Sequence, residues 1–197
     1  AILWFLDRRE PESRWLYLIA VLWGAVIATG IALPINNLIF KSLADLVVLH
    51  PDIKAVLGEG AGRTLAAPIA GPIVEETTKG LGALLLFWLL RSEFDNVRDG
   101  FIYGALIGIG FNLLETPLYI TNGFKDTGDI PLYFQMADRF ALFGFAGHAL
   151  YTGLFGLGLG LARQTTRRWL RSAAPIAGWL LGFSGHFLNN ALGLLFS

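Results

Sequence analysis

The chain has 197 residues, of which 54% are hydrophobic and 15% are charged, and its formal net charge is zero. Soluble domains carry roughly 25% charged residues, so this composition indicates an integral membrane protein. The zero net charge argues against a nucleic-acid partner, and the lack of cysteine excludes disulfides, zinc–thiolate sites and cysteine nucleophiles.

Five apolar stretches are long enough to cross a membrane. They cover residues 15–35, 65–90, 101–121, 140–161 and 173–196. About 20 residues of helix span the ~30 Å hydrocarbon layer, and no alternating pattern suggests a barrel. The sequence therefore predicts an all-α polytopic bundle with five complete spans, forming one transmembrane domain over residues 1–197.

Two further segments lie outside these spans. Residues 1–6 are apolar up to Asp7 and predict the tail of a truncated N-terminal helix. Residues 36–62 are too polar for a span, so they predict a short amphipathic or re-entrant segment on the outer side of the membrane.

Basic residues in the loops predict the orientation. If every stretch crosses, the loops on one side hold Arg8, Arg9, Arg14, Arg91, Arg98, Arg163, Arg167, Arg168 and Arg171. The opposite loops hold Lys41, Lys54, Arg63, Lys125 and Arg139. The positive-inside rule places the first group in the cytoplasm, so we expect a multi-pass protein of the cell membrane.

Ionisable side chains inside the predicted spans are the main functional signal. They are Glu75, Glu76 and Lys79 in the second span, Glu115 in the third, His148 in the fourth and His186 in the fifth. A charged side chain at the bilayer centre costs roughly 2.5–3.5 kcal/mol, so these groups are expected to face inward. The alternative is a purely structural network of hydrogen bonds that locks the helices together.

Helical rise predicts that these groups share one layer. Counted from the outer end of each span at about 1.5 Å per residue, the depths are roughly 15–17 Å for Glu75 and Glu76, 9 Å for Glu115, 12 Å for His148 and 15 Å for His186. Asn190 lies four residues after His186 and therefore on the same helix face. We expect a single shared site.

The charge of this layer requires compensation, because three carboxylates face one ammonium when the histidines are neutral. Either carboxylates hold protons at neutral pH or a divalent cation is bound. The first solution suits general acid–base chemistry on water, and the second suits a His/Glu metal site with an open position.

Five motifs resemble those of the PrsW family of membrane proteases, whose superfamily includes the type II CAAX prenyl proteases. They are Asp7-Arg-Arg-Glu-Pro-Glu-Ser13, Glu75-Glu76-Thr-Thr-Lys79, Gly108-Ile-Gly-Phe-Asn-Leu-Leu-Glu115, His148-Ala-Leu-Tyr-Thr-Gly153 and His186-Phe-Leu-Asn-Asn190. Thr116 departs from the pattern, because Asn is usual there. The motifs follow the family's order across residues 7–190.

The resemblance implies a glutamic-type intramembrane endopeptidase. Glu75 or Glu76 would activate the water, and His148 or His186 would assist. The substrate would be a membrane-anchored protein, such as an anti-sigma factor cut on the outer side. We expect no cofactor and no metal in this interpretation, and the lipid bilayer as the surroundings.

Three further residues receive supporting roles from the same resemblance. Asn190 would help to hold the oxyanion, and Glu115 would orient a neighbour or share a proton. Lys79 would compensate the acidic pair.

Three alternatives stay open at this point. A zinc metalloprotease could use the same His/Glu cluster, although no His-Glu-x-x-His sequence occurs. A non-catalytic scaffold could keep the fold without the chemistry. A proton-coupled transporter also uses buried Glu, Lys and His, although the two halves show no convincing inverted repeat.

Overall fold

The structure is a computed structural model that describes residues 3, 13–58, 62, 66–130 and 147–195. These residues are almost entirely helical, and no β-strand occurs among them. The predicted all-α class is therefore confirmed. The predicted tail at residues 1–6, apart from Leu3, and the first motif up to residue 12 lie outside the described residues, as do residues 140–146 of the fourth predicted span.

Apart from one helix of seven residues within the segment 36–62, the main helices of the described residues are long and overlap the predicted apolar stretches. They are α1 (Arg14–Leu49), α2 (Pro51–Leu57), α3 (Gly71–Leu89), α4 (Val97–Thr127), α5 (His148–Gln164) and α6 (Arg168–Leu195). Helix α1 contains a π-helical turn at Trp23–Ala28, and a second π-helical segment, Ala66–Ala70, leads directly into α3.

Helix α1 extends well beyond the first predicted span. The span was expected to end at residue 35, where polar residues begin, but the helix continues without a break to Leu49. It ends there because His50 precedes Pro51, and a residue before proline is disfavoured in the α conformation. The location of residues 36–62 on the outer side stays a prediction.

Two of the described helices are long and apolar enough to cross a membrane. They are Arg14–Leu49 and the Val97–Lys125 portion of α4. Large apolar side chains are also exposed on the outside of α3 and α6, among them Leu81, Trp88 and Leu181. Such exposure is expected where a helix faces lipid rather than water. The count of five spans is a finer statement that these findings leave as a prediction.

Glycines bring α4, α5 and α6 into backbone contact. Gly100 and Gly156 face each other across α4 and α5, and Gly104 lies against the backbone of Thr152. Gly178 and Gly182 of α6 lie against α5 in the same way. Small residues at four-residue spacing allow such close approach in lipid, and this packing fixes the helices that carry both histidines.

An apolar core closes the end of the bundle that lies away from the polar layer. The rings of Phe94 and Tyr103 stack at 5.6 Å between centroids, and both side chains are fully buried. The side chain of Asn96 caps α4 by accepting from the backbone N–H groups of Arg98 and Asp99. Tyr103 lies about three turns before Glu115, so this core positions α4 without entering the polar layer.

The contact between α4 and α5 predicts a selective response to added methyl groups. Gly156→Ala should lower the free energy of unfolding by about 1–3 kcal/mol, the usual cost of overpacking, because the new Cβ would overlap the carbonyl of Gly100. Thermal unfolding in detergent measures the change. Gly30→Ala is the matched control, because no atom of another described element lies within 4 Å of the added Cβ. Equal stability of the two variants would contradict the packing described here.

Candidate active site

The first feature of the polar layer is a buried carboxylate, Glu76, that joins three helices. Its Oε1 accepts from Lys79 Nζ at 2.7 Å and from His186 Nδ1 at 2.9 Å. Its Oε2 accepts from Thr152 Oγ1 at 3.0 Å. Both oxygens of Glu76 are therefore engaged, by donors from α3, α5 and α6.

Lys79 compensates this charge and also fixes the state of His148. Its Nζ lies 2.6 Å from His148 Nδ1 and 4.4 Å from the centroid of the Phe111 ring. An ammonium can only donate, so Nδ1 of His148 accepts and the ring proton is assigned to Nε2. That Nε2 lies 2.8 Å from Glu115 Oε2 and donates to it.

His148 lies at the first position of α5, not in the middle of a helix. The preceding Gly147 has a φ of 101°, a conformation that favours glycine. Gly108 lies directly against the carbonyl of His148, so α4 and α5 are in backbone contact where the histidine begins its helix. The partial positive charge of a helix N-terminus favours the nearby carboxylates.

Glu75 differs from its neighbour Glu76 in its contacts. Its Oε1 accepts from Asn36 Nδ2 at 3.0 Å. Its Oε2 is buried and has no hydrogen-bond partner among the described residues. This oxygen lies 3.8 Å from His186 Nε2 and 3.9 Å from His148 Nε2.

A cavity of about 30 Å³ is lined by Glu75 and by both histidines that surround this free oxygen. Its lining includes Glu75, Glu115, His148, His186 and Asn190, together with Asn112. A polar space of this size can hold a water molecule. Asn190 Nδ2 donates to the carbonyl of Ala67 at 2.9 Å, which places this amide at the edge of the cavity.

The second histidine, His186, is held between one stacked ring and one perpendicular ring. The Tyr151 ring stacks on His186 at 5.3 Å between centroids, and the His148 ring meets it edge-on at 4.7 Å. Because Glu76 accepts from Nδ1, a neutral His186 carries its proton there and presents the lone pair of Nε2 toward Glu75 Oε2.

A comparison with known protein families identifies the family of this chain. The family model described as PrsW family intramembrane metalloprotease matches residues 12–197, nearly the whole chain. The chain belongs to the PrsW family. Neither the curated proteins nor the solved structures contain a match. Membership in this family of intramembrane proteases makes the chain a membrane hydrolase with a protein substrate.

All seven residues that the sequence singled out lie in or beside the cluster of this PrsW-family chain. Glu75, Glu76, Lys79, Glu115, His148 and His186 are buried together, and Asn190 borders the cavity. Their catalytic roles stay predictions.

Three polar residues of the site were missed. Asn36 and Thr152 contact Glu75 and Glu76 directly, and Asn112 lines the cavity with its Oδ1 buried and without a partner among the described residues. All three side chains are neutral, so a search for ionisable residues does not find them. Thr152 could have been found from its spacing, because it follows His148 by four residues on the same helix face.

The buried ammonium predicts a large effect on stability. Lys79→Met should lower the free energy of unfolding by about 3–5 kcal/mol, because it leaves Glu76 buried without its cation. Unfolding of the detergent-solubilised protein by heat or denaturant measures this loss. Lys41→Met, which removes an exposed ammonium from α1, should leave stability nearly unchanged. Similar stability of the Lys79 variant and the wild type would show that Glu76 does not need this partner.

Proposed function

We propose that the chain is a multi-pass intramembrane endopeptidase in which Glu75 activates a water molecule. The observation that carries this proposal is the free Oε2 of Glu75, which is buried, lies beside the cavity and has no hydrogen-bond partner among the described residues. A carboxylate oxygen next to a space for water is the arrangement that general-base catalysis requires.

The two neighbouring glutamates have separate roles in this proposal. Glu76 is unsuited to be the base, because its oxygens already accept from Lys79, His186 and Thr152. It instead fixes the orientation of His186. Glu75 keeps one oxygen for the reaction.

His186, which also lines the cavity, assists Glu75. Its Nε2 lone pair and Glu75 Oε2 are 3.8 Å apart, close enough for one water to donate a hydrogen bond to each. Both protons of that water would then point at protein acceptors, and an oxygen lone pair would remain for attack on a carbonyl carbon.

The proposed reaction transfers one proton twice. Glu75 takes a proton from the water as its oxygen bonds to the scissile carbonyl carbon, and the carbonyl oxygen becomes an oxyanion. Donors at the cavity edge, the Nδ2 of Asn190 and the Nε2–H of His148, would stabilise that oxyanion after local rearrangement. Glu75 then delivers the proton to the leaving nitrogen as the C–N bond breaks, giving a carboxylic acid and an amine.

The substrate in this proposal is a membrane-anchored protein, and an anti-sigma factor is the class that the sequence resemblance suggests. The chain would cross the cell membrane five times with its arginine-rich loops in the cytoplasm. The active site would then lie outward of the bilayer centre, which suits a cut near the outer surface.

A divalent metal is the second candidate, favoured by the family's description as intramembrane metalloproteases and by two structural observations. Glu75, His148 and His186 each offer a ligand atom, and these atoms lie within 4.8 Å of one another. The support of His186 Nδ1 by Glu76 is also typical of metal-binding histidines. A bound zinc ion would polarise both the water and the scissile carbonyl.

The donor set fits such an ion only in part. Glu75 Oε2 and His186 Nε2 are available in their present positions. His148 is not, because its two ring nitrogens contact Lys79 and Glu115. It would have to exchange at least its bond to Glu115 for the ion, and we therefore favour the carboxylate as the activating group.

Replacing the proposed base gives the first test. Glu75→Gln should reduce the cleavage rate of a single-span substrate by at least about 100-fold, the lower end of what general-base catalysis contributes. The assay uses detergent-purified protein, candidate single-span proteins and mass-spectrometric mapping of the cut. Glu93→Gln, a partly exposed glutamate between α3 and α4, is the control and should cleave normally. A wild-type cleavage rate in the Glu75 variant would contradict the proposal that Glu75 is the general base.

The same assay separates the two candidates when a strong chelator is added. We expect cleavage to continue in protein whose metal content, measured by elemental analysis, is far below one ion per chain. Loss of cleavage on chelation and recovery with zinc would replace the carboxylate mechanism with the metal mechanism.

A further inference from the structure

Asn36 of α1 makes the one side-chain hydrogen bond to the Glu75 carboxylate among the described residues. Its Nδ2 lies 3.0 Å from Glu75 Oε1, and it reaches the site from a helix that carries none of the seven residues discussed above. We propose that Asn36 is a positioning residue, which holds Glu75 with Oε2 directed at the cavity. This inference rests on the proposed function.

The chemistry of the contact suits this role. A carboxylate that is fixed at one oxygen cannot rotate freely about its last torsion, so the other oxygen keeps its direction. The amide donor is neutral, so it orients Glu75 without forming an ion pair of the kind that Lys79 makes with Glu76. The Glu75 oxygen therefore stays available to accept a proton.

The amide has one acceptable orientation at this position. With Nδ2 toward Glu75, the hydrogen bond forms; with Oδ1 there, two acceptor oxygens would face each other. In the orientation that forms the bond, Asn36 Oδ1 is buried and has no partner among the described residues. An asparagine kept only for packing stability would be expected to satisfy both ends of its amide.

The packing of α1 brings Asn36 to Glu75. Ala28, Ala32 and Asn36 follow one another at four-residue spacing, so they lie on one helix face. The first two pack with Phe111 of α4 in a small buried cluster. Asn36 continues this face to the level of Glu75.

Contacts near the start of α1 fix its register against α3. Trp23 Nε1 donates to the carbonyl of Thr78 at 3.1 Å, and the Trp23 ring lies against Gly82. Thr78 comes three residues after Glu75. Helix α1 is therefore tied to α3 at Trp23 as well as at the position where Asn36 meets Glu75, so it helps to complete the site.

Substitution of Asn36 tests its role by separating kcat from KM. Asn36→Leu removes the donor at similar volume and should lower kcat by about 10–100-fold, as for other residues that orient a reactive ligand, with KM within about twofold of wild type. Asn36→Gln keeps an N–H donor and should recover part of that loss, giving a kcat clearly above that of the Leu variant. Asn37→Leu changes the exposed neighbouring side chain and should leave both constants unchanged.

Two results would overturn the proposal. Wild-type kcat in Asn36→Leu would show that Glu75 needs no support from α1. Equal kcat in the Leu and Gln variants would show that the side chain acts by packing and not as a donor. Asn36→Ala replaces the Leu variant if thermal unfolding shows that the latter does not fold.

Failure of the proposed function would give a different result from failure of the role proposed for Asn36. Normal cleavage by Glu75→Gln would remove Glu75 from the mechanism, whatever Asn36 does. If Glu75→Gln is impaired, adding Asn36→Leu to it should cause little further loss, because both changes act on the same carboxylate.

Discussion

The rest of the site depends on one constraint: the negative charge of the buried Glu76 carboxylate must be compensated inside the bundle. Three donors from three helices meet on it: Lys79 from α3, Thr152 from α5 and His186 from α6. In a low-dielectric interior such a charge is tolerated only when it is paired and hydrogen-bonded. The helices therefore cannot separate at this level without exposing an uncompensated charge, and the cavity keeps its shape.

Two adjacent glutamates acquire different properties from this arrangement. Consecutive residues on a helix point about 100° apart, since a turn holds 3.6 residues. Glu76 faces the interior of the bundle, where its oxygens are used for structure, and Glu75 faces the cavity. One oxygen of Glu75 accepts a hydrogen bond from Asn36, and the other has no partner among the described residues. The pair thus combines a fixed charge with a carboxylate that can exchange a proton.

Much of the site was predictable from sequence, because ionisable groups in apolar stretches must face inward and helical rise gives their depth. The neutral partners Asn36 and Thr152 were not predictable in this way, since neither is ionisable and Asn36 lies just beyond the first predicted span, in the segment 36–62. The length of α1 was missed for a related reason: polar residues mark the end of a span but do not end a helix, which continued to the next breaker at Pro51. His148 begins a helix because of the backbone conformation of Gly147. That conformation cannot be deduced from the composition of the sequence.

The central claim is that the space between Glu75 Oε2 and His186 Nε2 holds a reactive water. An experimental structure of the purified protein, with anomalous diffraction measured at the zinc absorption edge, tests it most directly. The account predicts a water about 2.7–3.2 Å from both atoms, with no anomalous signal. An anomalous peak about 2.0–2.2 Å from Glu75, His148 and His186 would instead identify a metal centre and contradict it.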